Sequence, residues 1–179
     1  MEPCPRLRQP QGGKHGQSQR QEPGDSCVTG HSRLATAKKE QSSWALENVR
    51  FVHQDVAALD VENAFDCITA FDSIHDQARP RQVLKNIARA LRPGGDFLMV
   101  DIQASSNLEE NIDHPLAPAF YAISMFHCMT VSLAHDGEGL GTMWGEQKAR
   151  ELLAEAGFRS VDVKHIADDI QNSYYVSRT

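Results

Sequence analysis

The sequence predicts an α/β fold, a mostly parallel sheet that ends in an antiparallel carboxyl-terminal edge pair. Three observations carry that expectation. The stretch from Phe65 to Ile102 reads as strand, loop, helix, tight turn and strand, a right-handed crossover whose two strands are parallel neighbours. Asp55, Asp72 and Asp101 close three successive apolar segments, so all three stand at one edge of one sheet. The chain then finishes as helix, strand, loop and strand, an order that most simply forms an antiparallel edge.

Residues 1–31 are rich in Pro, Gln, Gly and Arg. They bury too little apolar surface to offset the entropy of ordering, and read as a disordered tail. Gly12-Gly13-Lys14-His15-Gly16 looks like a phosphate-cradling loop, but no strand delivers it and no helix follows. Ser32 to Leu46 places Leu34, Ala35, Ala37, Ala45 and Leu46 among good helix formers, a helix capped by Ser32. Val49, Phe51 and Val52 make a short strand at 49–53, and 56–63 is a loop or a single turn.

FDCITAF (65–71) and DFLMVDI (96–102) are apolar enough for buried strands. Between them Val83, Leu84, Ile87, Ala88 and Leu91 form one stripe of an amphipathic helix, stopped by Pro93-Gly94-Gly95. In such sheets the ligand sits beyond the carboxyl ends of the strands, which singles out Phe71–Asp76 and Asp101–Gln103. Asp101 taken alone reads more simply as a polar loop residue or a helix cap.

Residues 105–145 form a helical lid region. A helix at 119–132 is apolar nearly all round, so it is expected to be covered on most sides, either by core or by a bound ligand. The following His135-Asp136-Gly137-Glu138-Gly139-Leu140-Gly141 has no strand before it, and reads as a mobile lid segment rather than a nucleotide loop. Gly145 to Ala156 is a helix closed by Gly157. Strands follow at 158–166 and 172–177.

Composition narrows the function classes. Residues 1–48 carry seven Lys/Arg against five Asp/Glu, and residues 49–179 eleven against nineteen, within a net charge of −6. An acidic body gives no electrostatic footprint for a phosphate backbone, so nucleic acid is not an expected partner. Cys4, Cys27, Cys67 and Cys128 show no paired spacing, and Cys67 is expected inside a core strand as a small hydrophobe. The chain reads as reduced and cytoplasmic. Ala117–Ala134 is interrupted by Ser124, His127, Thr130 and Ser132 and falls short of about 20 apolar residues, so no membrane partner is expected. No apolar leader stands at the amino terminus. No His/Cys set has metal-ligand spacing, so no metal is expected.

Four segments in order, NVRFVHQD (48–55), FDCITAFDSIHD (65–76), LRPGGDFLMVDI (91–102) and LLAEAGFRSVDV (152–163), resemble the carboxyl-terminal two-thirds of a class I S-adenosylmethionine-dependent methyltransferase. FHCMTVSLAHDGEGLGTMWG (126–145) is similar to a small-molecule subgroup that often carries a winged helix ahead of the catalytic domain. The resemblance implies a Rossmann-like sheet, S-adenosyl-L-methionine as cofactor and a small-molecule methyl acceptor. It implies that Asp55 hydrogen-bonds the adenine amino group and that the Val56 amide faces the adenine ring. Phe71, Asp72 and His75 would lie along the methionine part and face the substrate. His75 would be the base, with His127 a second candidate, and His127 and Trp144 would face the acceptor from the lid.

The family's first strand, with its Gly-rich loop, and its second strand, with its acidic end, have no counterpart in this sequence. Asp25-Ser26 stands about where that acid falls, after a stretch, Gln19 to Gly24, that cannot be a buried strand. The expectation is thus an N-terminally truncated domain whose 49–53 strand has an unprotected edge open to self-association. A second reading follows, a non-catalytic methyltransferase-like remnant that binds a partner. A dinucleotide-dependent oxidoreductase would need the same missing glycine loop.

Overall fold

The computed structural model describes residues 24–27 and 31–179, which divide into two compact units, one ending at Leu59 and one running from Asp60 to Thr179. The glycine-rich stretch at 12–16 lies outside the described residues.

In the first unit β1 (Gly24–Cys27), α1 (His31–Ser43) and β2 (Val49–Val52) form a parallel crossover, with Gly24 opposite Val49 and Cys27 opposite Val52. This corrects two expectations. Asp25 sits within a strand, opposite Arg50, and β2 has a hydrogen-bonded neighbour where a bare edge was expected. At four residues, Gly-Asp-Ser-Cys is too short and too polar to register as a strand by periodicity. β2 also pairs in this two-stranded sheet, not in the sheet that contains the later strands. α1 starts at His31, so Ser32 falls inside its first turn.

The second unit is a four-stranded mixed sheet in the order β3-β4-β6-β5, with β3 (Phe65–Phe71), β4 (Leu91–Ile102), β5 (Ser160–Lys164) and β6 (Asn172–Arg178). β3 and β4 are parallel, while β6 runs antiparallel to both β4 and β5. The α/β fold and the antiparallel carboxyl-terminal pair are therefore as expected. β3 lies at the sheet edge, so Cys67 is exposed and not a core residue.

α2 (Pro80–Ala90) opens on a proline, whose missing N–H costs nothing at a helix start. It buries Val83, Leu84, Ile87 and Ala90. The chain is already strand at Leu91, and Pro93-Gly94-Gly95 is a bulge inside β4, not a separate turn: Phe65 pairs with Leu91 but Cys67 with Asp96. Gly94 takes φ +80°, and a Cβ on Gly95 would meet the Asp66 carbonyl oxygen at 2.9 Å, so neither position accepts a side chain without strain. The core gathers Leu84, Phe97, Met99, Leu152, Leu153 and Tyr175, with Phe97 stacked on Phe158 at 5.5 Å.

The lid is one continuous helical run: α3 (Ala117–Ile123), a π-helical segment (Ser124–Cys128) and α4 (Met129–Ala134). Its eighteen residues have a mean hydropathy of 1.3, long and apolar enough by length and composition to cross a membrane. Among the described residues, core does not cover it on most sides. Ile123, Met125, Phe126, Val131 and Leu133 are exposed, Phe126 by 83%. Beyond Ala117 at its start, the buried positions are Ser124, Cys128 and Ser132, four residues apart and so on one face.

The glycine loop fills that small-residue face. A Cβ on Gly137 would meet Ser132 Oγ at 2.4 Å, and one on Gly141 would meet Ser124 Oγ at 2.1 Å. Gly139 N donates to Ser132 Oγ at 3.1 Å, and Glu138 N to the Ala78 carbonyl at 2.9 Å. Its glycines thus serve close packing. α5 (Gly145–Ala156) ends at Gly157, φ +105°, as a left-handed cap.

Candidate functional site

The carboxyl ends of β3 and β4 bring together the titratable groups Asp72, His75, Asp76 and Asp101. β3 stops at Phe71, which is exposed, and Asp72 turns the chain with φ +42° while its amide donates to the Val100 carbonyl at 2.9 Å. An aspartate tolerates this left-handed geometry better than a branched residue would. The turn is braced by Gln77, whose side-chain amide donates to the Ser73 carbonyl at 2.8 Å. It swings Ile74 and His75 inward, and both are buried.

His75 meets Asp101 there. Its Nδ1 lies 2.7 Å from Asp101 Oδ1, and the Ile102 amide donates to the same oxygen at 2.9 Å. Asp101 is 1% exposed, and its Oδ2 is buried without a hydrogen-bond partner among the described residues. Asp101 is therefore no loop residue or helix cap. It is the last acidic position of a fully buried strand end, and it fixes the orientation of the imidazole.

The electrostatics follow from that burial. Desolvation opposes a charged His75 ring, but the hydrogen bond and charge of Asp101, together with Asp76 and Asp72, outweigh it and raise the pKa. Asp72 is also raised, by burial first and then by the Asp101 charge, with His75 partly offsetting. On the far side of the ring, His75 Nε2 lies 3.5 Å from Asp76 Oδ1. Cys128 comes in from the π-helical segment, with its Sγ 3.1 Å from Thr142 Oγ1 and its pKa raised mainly by burial.

A second feature opens just past Asp101, a polar cleft of about 260 Å³ lined by Gln103, Glu110, His114, Glu146 and His165 among others. Asn111 holds its rim: Nδ2 donates to the Ser105 carbonyl at 2.8 Å and Oδ1 accepts from Ser105 N at 2.9 Å. His114 Nδ1 accepts from the Leu116 amide at 3.2 Å, which leaves Nε2 as the protonated nitrogen, buried and without a partner among the described residues.

The structure thus brings Asp72 and His75 together. Asp55 and Val56 belong to the first unit, where Asp55 caps the 3-10 turn Val56–Ala58 by accepting from Ala57 N at 2.9 Å. His127 is exposed on the lid helix. Trp144 is buried ahead of α5, and its carbonyl accepts from Ser106 Oγ at 2.8 Å. Sequence reasoning singled out Phe71–Asp76 without giving Asp76 a role, and passed over Cys128 and the pairing role of Asp101. The four-residue spacing of Ser124, Cys128 and Ser132 was the available signal for Cys128.

A family model described as a methyltransferase domain matches residues 30–157. A ubiquinone/menaquinone biosynthesis C-methyltransferase of Klebsiella pneumoniae is 28% identical over 134 residues, covering 69% of this chain and 51% of that protein. The chain spans about half the length of the curated relatives it matches. Among solved structures, an O-methyltransferase family protein from Burkholderia thailandensis superposes with TM-score 0.64 at 18% identity, covering 87% of this chain and 43% of that one. Human N-acetylserotonin methyltransferase, in complex with S-adenosylmethionine, superposes with TM-score 0.59 at 20% identity, covering 86% and 39%.

Proposed function

The chain belongs to the methyltransferase domain family, and from that premise we propose that it transfers a methyl group from S-adenosyl-L-methionine to a small molecule. The observation that carries the reading is the buried His75–Asp101 contact at the carboxyl ends of two parallel strands, where α/β sheets bind ligands. S-adenosyl-L-methionine would supply a methyl group activated on a sulfonium. Asp72, Asp76 and Asp101 set three carboxylates about one imidazole, an excess of negative charge that suits a cationic donor. Phe71 and Asp72 would lie along its methionine part.

His75 is assigned the proton transfer. Asp101 holds Nδ1 and turns Nε2 away from β4, the orientation a proton acceptor needs. The polar cleft past Asp101 supports a place for the acceptor, with the His114 Nε2–H as an unspent donor. His127 on the outer face of the lid and Trp144 at its base would shape the approach of the acceptor. Burial of Ser124, Cys128 and Ser132 against the glycine loop supports a lid role for this helix over a membrane span. The acidic charge and the free Cys67 and Cys128 support a cytoplasmic protein that does not bind nucleic acid.

One observation favours a second reading, a methyltransferase-like binding module: the lid helix exposes Ile123, Met125, Phe126, Val131 and Leu133, the kind of apolar surface that engages a partner. Calorimetric titration with S-adenosylmethionine or its demethylated product separates the two. The methyltransferase reading predicts saturable one-to-one binding that Asp72→Asn weakens. Neither heat nor a thermal shift at millimolar ligand would leave only the binding module, and unchanged affinity in Asp72→Asn would overturn the placement of the methionine part.

A further inference from the structure

We propose that His75, Asp76 and Cys128 form a site for a soft divalent cation of the zinc class, and that the bound cation silences His75 as a proton acceptor. The silencing rests on the methyltransferase reading above; the site itself does not.

The geometry starts from the imidazole. Asp101 takes the Nδ1 hydrogen at 2.7 Å, so in the neutral ring the lone pair is on Nε2. That nitrogen faces Asp76 Oδ1 at 3.5 Å. Two electron-rich atoms at that separation need a proton or a cation near them. Cys128 Sγ completes the set, and one donor atom from each of the three residues lies within 4.8 Å of the others. Zinc bonds of about 2.0–2.3 Å make the donor–donor edges of a tetrahedron about 3.3–3.8 Å. The His75–Asp76 edge already has that length, and the three-residue set as a whole stays within 4.8 Å.

The surroundings fit the same conclusion independently. A ligating histidine commonly donates its other ring N–H to a carboxylate, and Asp101 is such a partner. Its buried Oδ2 has no hydrogen-bond partner among the described residues, so its negative charge is left for a cation across the ring to balance. Thr142 Oγ1, 3.1 Å from Cys128 Sγ, can donate to a thiolate. The Asp76 side chain is 44% exposed and gives the ion a way in from solvent. Imidazole, thiolate and a single carboxylate select zinc-like ions over magnesium or calcium. On binding, the Cys128 thiol proton leaves to solvent, Nε2 and Asp76 donate lone pairs, and a fourth position stays open to water. With its lone pair engaged, Nε2 accepts no proton from a methyl acceptor. The spacing in sequence hid the site because its ligands come from the loop after β3 and from the π-helical segment of the lid.

Cobalt(II) titration of the full chain, followed by absorption, tests the site without any activity assay. The expected result is a one-equivalent thiolate-to-cobalt charge-transfer band with the strong visible absorption of a tetrahedral centre, displaced by zinc. Cys128→Ser should abolish the charge-transfer band, while Cys67→Ser keeps it. Asp101→Asn, isosteric and folded by circular dichroism, should weaken cobalt affinity by about 10–100-fold. A charge-transfer band that survives in Cys128→Ser, or no band in the wild type, overturns the site. Calorimetry with S-adenosylhomocysteine in the presence of chelator tests the underlying reading separately. Binding there, with methyl transfer that zinc stops in the wild type and leaves intact in Cys128→Ser, supports the silencing. Transfer unaffected by zinc overturns the silencing while the cobalt band still decides the site.

Discussion

The ends of β3 and β4 and the lid helix bury opposite kinds of side chain. At the strand ends the pattern is conventional: Phe97, Met99 and Val100 go inside, and the one carboxylate that follows them, Asp101, is held by His75. In the lid the small and polar Ser124, Cys128 and Ser132 go inside, and Ile123, Met125, Phe126, Val131 and Leu133 face out. Periodicity shows that a helix has two unlike faces, but not which one its neighbour takes. Here the glycines at 137 and 141 approach so closely that only small side chains fit beneath them, and shape overrides hydrophobicity.

That contrast orders the expected effects of substitution. Asp101→Ala removes the acceptor of both His75 Nδ1 and Ile102 N inside a buried site; it should cost about 3–5 kcal/mol in chemical denaturation, as loss of one buried charged partner does. Phe97→Ala, in the sheet core against Phe158, should cost a similar ~3–5 kcal/mol. If either left the unfolding midpoint unchanged, the strand-end core would not be the stable half of the unit.

Gly141→Ala probes the lid seam directly. Its Cβ would meet Ser124 Oγ at 2.1 Å and Met129 Cγ at 2.6 Å, at a backbone φ of +71°, so a loss of about 1–3 kcal/mol is expected. Ser132→Ala gives up the acceptor of Gly139 N and the contact to the Gln77 carbonyl, for about 1 kcal/mol. Smallest of all, Phe126→Ser on the outward face should change stability by less than ~0.5 kcal/mol. A destabilisation of Phe126→Ser as large as that of Phe97→Ala would mean the outer lid face is packed in solution, and the contrast between the two regions would fail.

What sequence reading could and could not reach divides along the same line. The crossover from Phe65 to Ile102 was legible because Val83, Leu84 and Ile87 share a helical stripe and β4 carries the apolar run Phe97–Val100. The position of His75 at the strand ends was legible for the same reason. Its partner was not, since Asp101 lies 26 residues away and local periodicity says nothing about which two edge groups meet. β1 was invisible because four short, mostly polar residues are held by backbone pairing to β2, which side-chain pattern does not report. The edge position of β3, and with it the exposure of Cys67, depends on strand order. A run such as FDCITAF cannot disclose that. The glycine loop after the lid helix read as mobile because glycine signals freedom and close approach with the same letter; only the contacts to Ser124 and Ser132 tell them apart.

Amide hydrogen exchange with and without S-adenosylmethionine tests the central claim most directly, because it locates binding as well as detecting it. The account predicts added protection in the peptides covering Phe71–Asp76 and Asp101–Gln103, with little change in β5 and β6. Protection confined to other segments, or none at saturating ligand, would contradict the assignment of the cofactor to the β3 and β4 ends.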